Sequence, residues 1–112
     1  MKTKTKIIDG TEYELETHDF NKKLSDIKIP KGWRLWKPSE CYKLYENEEY
    51  RKLFGLDECW FFVENPLKNE CVARFFADSD GACLYCHRYP VYTDSALGVR
   101  FARDVRLKEK KK

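Results

Sequence analysis

The sequence predicts one α+β domain, with its helices early in the chain and most of its strands late. The length of 112 residues suits one hydrophobic core rather than two. Aromatic residues make up 15% of the chain, which supports a compact aromatic core. Helical spacing is confined to residues 19–54, whereas period-two alternation marks strands near both ends and over residues 57–77. Helices and strands that are segregated in this way indicate α+β rather than a wound parallel sheet.

The charge and cysteine content exclude several classes of function. Lys and Arg number 22 against 19 Asp and Glu, a balance of +3 that predicts little attraction to nucleic acid or acidic membranes. No apolar run approaches the ~20 residues that a membrane span needs, and MKTKTKIIDG lacks the apolar region of a signal peptide. Five cysteines without an export signal indicate reduced thiols. We therefore expect a cytoplasmic protein, with display on a virus or cell by another component left open.

The first two elements are predicted to be strands. Asp9-Gly10 lies between the extended runs Lys6–Ile8 and Thr11–Leu15. An Asp-Gly pair between two such runs favours a tight hairpin.

Two helices should follow. A short one is predicted over Asp19–Asp26, with Thr17 or Asp19 as its N-cap and Phe20 and Leu24 as its buried stripe. The longer one is predicted from Pro38 to about Phe54, with Gly55 after its end. Its two apolar clusters lie nine residues apart, on opposite sides of a straight helix. We therefore expect a break near Asn47 or a helix buried on both sides.

The second half of the chain should be mainly strands. Asp57–Val63 and Glu70–Ala77 predict a hairpin with a longer loop. A last strand is predicted over Ala96–Val105, with Leu97, Val99 and Phe101 on one face and Arg100 and Ala102 on the other. It should pair with Lys6–Leu15 to close the fold. Arg100 and Arg103 are interpreted as framework residues, and residues 108–112 as a disordered tail.

Residues 83–87 read CLYCH, which has the C-x-x-C-H spacing of c-type haem attachment. Zinc is the alternative, with Cys83, Cys86 and His87 joined by Cys71 or Cys59. Haem needs a second axial ligand, and both sites need thiols that point the same way, whereas Cys83 and Cys86 of a strand point to opposite faces. The simpler interpretation is that these are strand side chains, and that Cys41, Cys59 and Cys71 fill the core.

Two stretches carry a family resemblance. GWRLWKPSE (Gly32–Glu40) resembles the GWRLPT-x-x-E signature of the formylglycine-generating-enzyme branch of the C-type lectin fold. It departs in Trp36-Lys37, which precede Pro38-Ser39, and in Tyr42, which stands where a capping-box Glu is expected after Ser39. SALGVRFARDV (Ser95–Val105) is similar to the GFR-x-AR strand of that branch and to the ends of variable proteins of diversity-generating retroelements.

This resemblance implies a C-type lectin-like fold with paired N- and C-terminal strands, two helices and a small antiparallel sheet. A short archaeal or viral member is the form it suggests. In such proteins a C-terminal stretch is rewritten by error-prone copying at adenines. Randomising the first two bases of AAY codons never yields Lys, Glu, Gln, Met or Trp, and the chain has none of these between Asp78 and Asp94. On this interpretation CLYCH arose by chance.

The resemblance therefore predicts a single domain, residues 1–112, whose residues 76–95 form a variable ligand-binding region. Tyr85, His87 and Tyr89 would share one face of an extended segment, and Leu84, Cys86 and Arg88 would belong to the framework. The mixture of Tyr with His and Asp also resembles an antibody paratope, in which Tyr supplies much contact area with few rotors. The predicted ligand-binding residues are Asp78, Asp80, Cys83, Tyr85, His87, Tyr89, Tyr92 and Asp94.

We expect a binding protein rather than an enzyme, with no cofactor and no resident metal. Its partner is predicted to be a protein or another surface molecule, and the sequence leaves the ligand and the oligomeric state open. The zinc or haem protein described above is the second hypothesis. A third is a nucleic-acid-binding module that uses Tyr stacking and the basic tail, although no specific nucleic acid is expected.

Overall fold

The computed structural model describes residues 4–67, 71–78, 80–88 and 93–105, with the backbone alone for His87 and Arg88. Within these ranges the protein is a compact α+β structure of two helices and two small, mostly antiparallel sheets. The predicted α+β class is therefore confirmed. The predicted disordered tail, residues 108–112, lies outside the described residues.

The first sheet joins the two ends of the chain. It contains β1 (Thr5–Ile8), β2 (Thr11–Glu14), β3 (Arg34–Leu35) and β8 (Phe101–Asp104), in the order β1-β2-β8-β3. Strands β1 and β2 form the predicted hairpin, in which Asp9 and Gly10 have φ of 52° and 85°, as a tight two-residue turn requires. Strand β2 pairs antiparallel with β8, which confirms the predicted closure of the fold.

The second sheet contains β4 (Cys59–Val63), β5 (Val72–Asp78), β6 (Gly81–Arg88) and β7 (Gly98–Val99), in the order β6-β5-β4-β7. Strands β4 and β5 form the predicted hairpin, and β6 continues the antiparallel ladder. The short β7 pairs parallel with β4.

The long helix is broken where its two apolar clusters predicted a break. Helix α1 spans Pro38–Glu46 and helix α2 spans Glu48–Leu53. Between them the Asn47 side-chain oxygen accepts a hydrogen bond from the Tyr50 backbone N–H at 3.1 Å, which caps α2. After α2, Gly55 has a φ of 64°, so the predicted glycine stop is confirmed.

The start of α1 differs from the prediction. We expected Ser39 as the cap and no capping-box glutamate. Instead Lys37 is the N-cap residue, and the Glu40 carboxylate accepts a hydrogen bond from the Lys37 backbone N–H at 2.8 Å. Because Pro38 occupies the first helical position, the N-cap lies two residues before Ser39, and Glu40 becomes the third residue of the helix.

The prediction of a helix over Asp19–Asp26 is wrong. The structure has only a 3₁₀ turn at Leu24–Asp26, and Phe20 is exposed rather than buried. Asp19 and Asn21 have positive φ, which no α-helix allows. The backbone of His18 instead pairs with Val99 through hydrogen bonds of 2.9 and 2.8 Å. Pairing with β7 therefore overrides the local helical pattern.

The predicted last strand is divided between the two sheets. Gly98–Val99 belongs to the second sheet and Phe101–Asp104 to the first, with Arg100 at the crossing. The predicted facing is nevertheless confirmed. Leu97, Val99 and Phe101 enter one hydrophobic cluster, whereas Ala102 enters the other.

The second sheet is covered on both faces. The larger cluster lies on the face of β4 and β5 that carries Phe61, Ala73 and Phe75, and it includes Trp36 and both helices. Trp36 is fully buried, contacts four aromatic or cationic side chains, and donates from its indole nitrogen to the Phe101 carbonyl at 3.2 Å. The smaller cluster covers Phe62 and Val72 on the opposite face and leaves the β6 end of that face open.

Candidate ligand-binding face

Strand β6 presents alternate residues to the core and to solvent. Ala82, Leu84 and Cys86 pack against the larger hydrophobic cluster. Cys83 is exposed, and Tyr85 keeps 43% of its surface in solvent. The inward set fixes the strand on the scaffold, while the outward set is accessible to a ligand.

Three residues of the neighbouring strands share the face of Cys83 and Tyr85. Phe76 pairs with Cys83 on one side and with Trp60 on the other, and Arg74 pairs with Tyr85. We call the set Trp60, Arg74, Phe76, Cys83 and Tyr85 the outer face. Trp60 and Phe76 contact edge to face, with ring centroids 5.8 Å apart. Such pairs of neighbouring strands are the unit that stabilises a sheet surface.

Arg74 is the centre of the outer face. Its guanidinium carbon lies 5.7 Å from the centroid of the Trp60 ring and 5.2 Å from that of the Tyr85 ring. The side chain is buried, because these rings cover it. Cation–π contacts of this kind restrict the movement of both rings. The neighbouring Cys83 side chain raises the pKa of the Tyr85 hydroxyl.

A cleft of about 350 Å³ borders the outer face. Trp60 and Phe76 form its apolar wall, and Asp78 lines it from the end of β5. Ala96, in the turn after Asp94, lines it from the opposite direction. The face therefore combines a flat part on β6 with a concave part beside Trp60, which is the shape that binding sites favour.

The three predicted aspartates have different environments. Asp80 is exposed at the tip of the β5–β6 hairpin, while its backbone N–H donates to the Asp78 carboxylate at 2.8 Å. The Asp94 carboxylate accepts from the Ala96 backbone N–H at 2.9 Å. Asp78 and Asp94 are half-buried. Each thus stabilises a turn in the manner typical of Asp, and a role for either in ligand binding stays a prediction.

A register shift interrupts β6 beyond Tyr85. Tyr85 pairs with Arg74 and Arg88 with Val72, so three steps along β6 match two steps along β5. A bulge of this kind resets the alternation of side chains. The expectation that His87 follows Tyr85 on one face, with Arg88 opposite, assumed an unbroken alternation that the backbone does not have. The His87 side chain, Tyr89 and Tyr92 lie outside the described residues.

The two thiols of CLYCH lie in different environments. Cys83 is exposed on the outer face, whereas Cys86 is buried in the larger core cluster. A metal site needs its sulfur atoms to converge on one point. Within the described ranges no group of three or more His, Cys, Asp or Glu residues is arranged to hold a metal ion.

The sequence did not identify Trp60, Arg74 or Phe76 as candidates for the ligand-binding face. A signal was present in VARFFAD, where Arg74 stands in the middle of an apolar strand. A charged residue at such a position needs a partner above the sheet. Here the partners are rings on both neighbouring strands, and only the register reveals them.

The chain matches no protein-family model, no curated protein and no solved structure. In the portion of the chain that the structure describes, neither helix is long and apolar enough to cross a bilayer.

Proposed function

We propose that this protein binds a macromolecular ligand without covalent chemistry, through the outer face and the adjoining cleft. The observation that carries the proposal is the division of β6 into an inward set held by the core and an outward set free of it. Tyr85 and Trp60 offer large apolar areas with few rotors, and Arg74 holds both rings. Rigid aromatic anchors of this kind are the usual centre of a protein-binding surface.

We further propose that the chain is a variable protein of a diversity-generating retroelement with a C-type lectin-like fold. The resemblance of residues 32–40 and 95–105 supports this, as does the absence of five residue types between Asp78 and Asp94. Part of each stretch lies in the first sheet, where β3 pairs with β8. The ligand is then a protein or another surface molecule, and it differs between copies of the protein.

A pair of codon libraries tests whether the outward set tolerates change. One library randomises Asp80, Cys83 and Tyr85 with NNY codons, and the matched library randomises Ala82, Leu84 and Cys86. Sorting for folded protein should keep most of the first library and lose most of the second, because polar or larger side chains at positions packed against the core disrupt its packing. Equal survival of the two libraries contradicts the proposal.

The surrounding DNA tests the retroelement. We expect a near-duplicate of the codons for residues 76–95, differing from them only where the duplicate has adenine, beside a reverse transcriptase gene. Copies of the gene should differ at Cys83 and Tyr85 and agree at Leu84 and Cys86. A locus without a duplicate, or copies that vary equally at inward and outward positions, contradicts the assignment while leaving ligand binding by the outer face open to direct measurement.

A further inference from the structure

A larger cavity, of about 500 Å³, lies where β4 begins. It is open to solvent and is lined by the end of α2, the segment after β2, and Arg100 between β7 and β8. It shares Glu58, Cys59, Trp60 and Ala96 with the cleft described above, but no residue of β6 lines it. Its cationic group, Arg100, does not line that cleft, so ligand binding here can be tested separately from binding by β6.

Arg100 lines this cavity and is almost completely buried, with 4% of its surface exposed. Its Nε donates to the Thr17 hydroxyl at 2.9 Å. Its Nη1 is buried and has no hydrogen-bond partner among the residues that the structure describes. The guanidinium carbon lies 5.6 Å from the Trp36 ring centroid and 4.9 Å from that of Phe61.

The guanidinium of Arg100 is thus a charge in an apolar setting. Burial lowers the pKa of Arg100, but a guanidinium remains protonated at neutral pH. In the described ranges no carboxylate forms an ion pair with it, although Glu14 and Glu16 are close enough to act on its charge, and rings contact it directly. A buried cation without an ion-paired anion gains from one that reaches it.

The lining of the cavity is mixed, with an apolar part. Phe20 and Leu53 line it, and both are among the few large hydrophobic side chains that the described structure exposes. Single exposed apolar residues are ordinary, but these two converge on one cavity that has a cation at its base. Lys52 adds a second positive charge to the lining, and Glu16 and Glu58 add two negative ones.

We propose that this cavity binds a monocarboxylate with an apolar body. The carboxylate pairs with Arg100 and Thr17, while the apolar body lies against Phe20, Leu53 and Trp60. The two glutamates of the lining oppose a dianion, so a phosphate monoester fits less well than a carboxylate. The volume is that of a site for a small organic ligand.

Binding of 1-naphthylacetate, 4-phenylbutyrate and octanoate, each compared with its primary amide, tests the proposal. Isothermal titration calorimetry should show binding of at least one acid at millimolar concentration or below, with its amide weaker by about tenfold or more, because the amide cannot form the charged pair. Equal affinity of acid and amide, or no binding of any acid at millimolar concentration, overturns the proposal.

Two exposed leucines provide a matched pair of variants. Leu53, 44% exposed, lines the cavity, whereas Leu67, 54% exposed, does not. Leu53→Asp should weaken acid binding about tenfold or more by placing a negative charge at the rim, and Leu67→Asp should leave it unchanged. Equal effects of the two variants overturn the assignment. These variants carry the test because Arg100 is part of the core, so that Arg100→Lys risks unfolding the protein.

Discussion

Gly98 is the position where a single methyl group should be most disruptive. Its backbone lies between Phe61 of β4, with which it pairs, and the extended segment at His18. A Cβ atom at Gly98 would overlap the His18 carbonyl oxygen and lie 2.8 Å from Thr17 Cγ2. Carbon atoms in favourable contact are about 3.5–4.0 Å apart, and one of the two obstacles is backbone, which cannot rotate away. Gly98→Ala therefore has to move the segment at His18 or β7.

The expected cost follows from that displacement. An extra methyl group in a tightly packed site costs about 1–3 kcal/mol. Moving the chain also strains the two backbone hydrogen bonds between His18 and Val99, of 2.9 and 2.8 Å, each of which contributes about 0.5–1.5 kcal/mol. We expect Gly98→Ala to lower the free energy of unfolding by about 2–6 kcal/mol, against a total of about 5–15 kcal/mol for a typical domain.

Urea unfolding followed by tryptophan fluorescence measures this cost. Gly55→Ala is the matched control, because Gly55 has open space around it but a φ of 64°, so the control should lose only about 1–2 kcal/mol through its left-handed backbone. The prediction is contradicted if the Gly98→Ala variant is as stable as the wild type, or if its free energy of unfolding falls by less than that of Gly55→Ala. An unstrained Gly-to-Ala change would instead stabilise by about 0.4–1 kcal/mol, so the sign of the effect is itself decisive.

Three further predictions concern charged and thiol groups. The hydrogen bond with Glu14, at 2.6 Å, raises the pKa of His18. The pairing therefore stabilises the fold fully below pH 6.5, the ordinary His value, and less as pH rises through the higher folded-state pKa. His18→Gln should be most destabilising, relative to wild type, on the acid side of that range, and denaturation curves that show a constant difference across it contradict this. Arg34 binds two carboxylates at once, at 2.9–3.0 Å, so Arg34→Lys should cost about 1–2 kcal/mol by losing the planar fork, and an unchanged urea midpoint would refute it. A bulky maleimide should label exposed Cys83 in the native protein but leave Cys41, whose pKa burial raises, unlabelled until unfolding, as peptide mass spectrometry would show. Equal labelling of the two thiols contradicts the placement of Cys83 on the surface.

The elements that were predicted correctly depend on residues that are close together in the sequence. The Asp9-Gly10 turn is set by two residues that accept positive φ. The break at Asn47 followed from apolar clusters nine residues apart, because the two clusters could not face one core on a straight helix. The alternation of residues 97–102 predicted their facing, because it depends only on strand geometry.

The wrong predictions involve contacts between residues that are far apart in the sequence. The segment Asp19–Asp26 reads as a helix, but the backbone at His18 is held by Val99, eighty-one positions further on. The alternation over Ala96–Val105 predicts one continuous strand. Its division at Arg100 arises because the two halves pair in different sheets, which the spacing of these residues does not indicate. In the candidate site, the exposure of Cys83 and Tyr85 agrees with alternation, whereas the shift beyond Tyr85 and the stacking of Arg74 between two rings depend on register with β5.

The crossing of residues 98–104 from one sheet to the other has a consequence for synthesis. Without this stretch the β1–β2 hairpin has no neighbouring strand in the described structure, and the edge of β4 is uncovered. A two-stranded hairpin alone is marginal in water. A nascent chain on the ribosome therefore cannot complete the second sheet until residue 99 has left the exit tunnel, or the first until residue 104 has done so. Both sheets should accordingly form late in synthesis and nearly together.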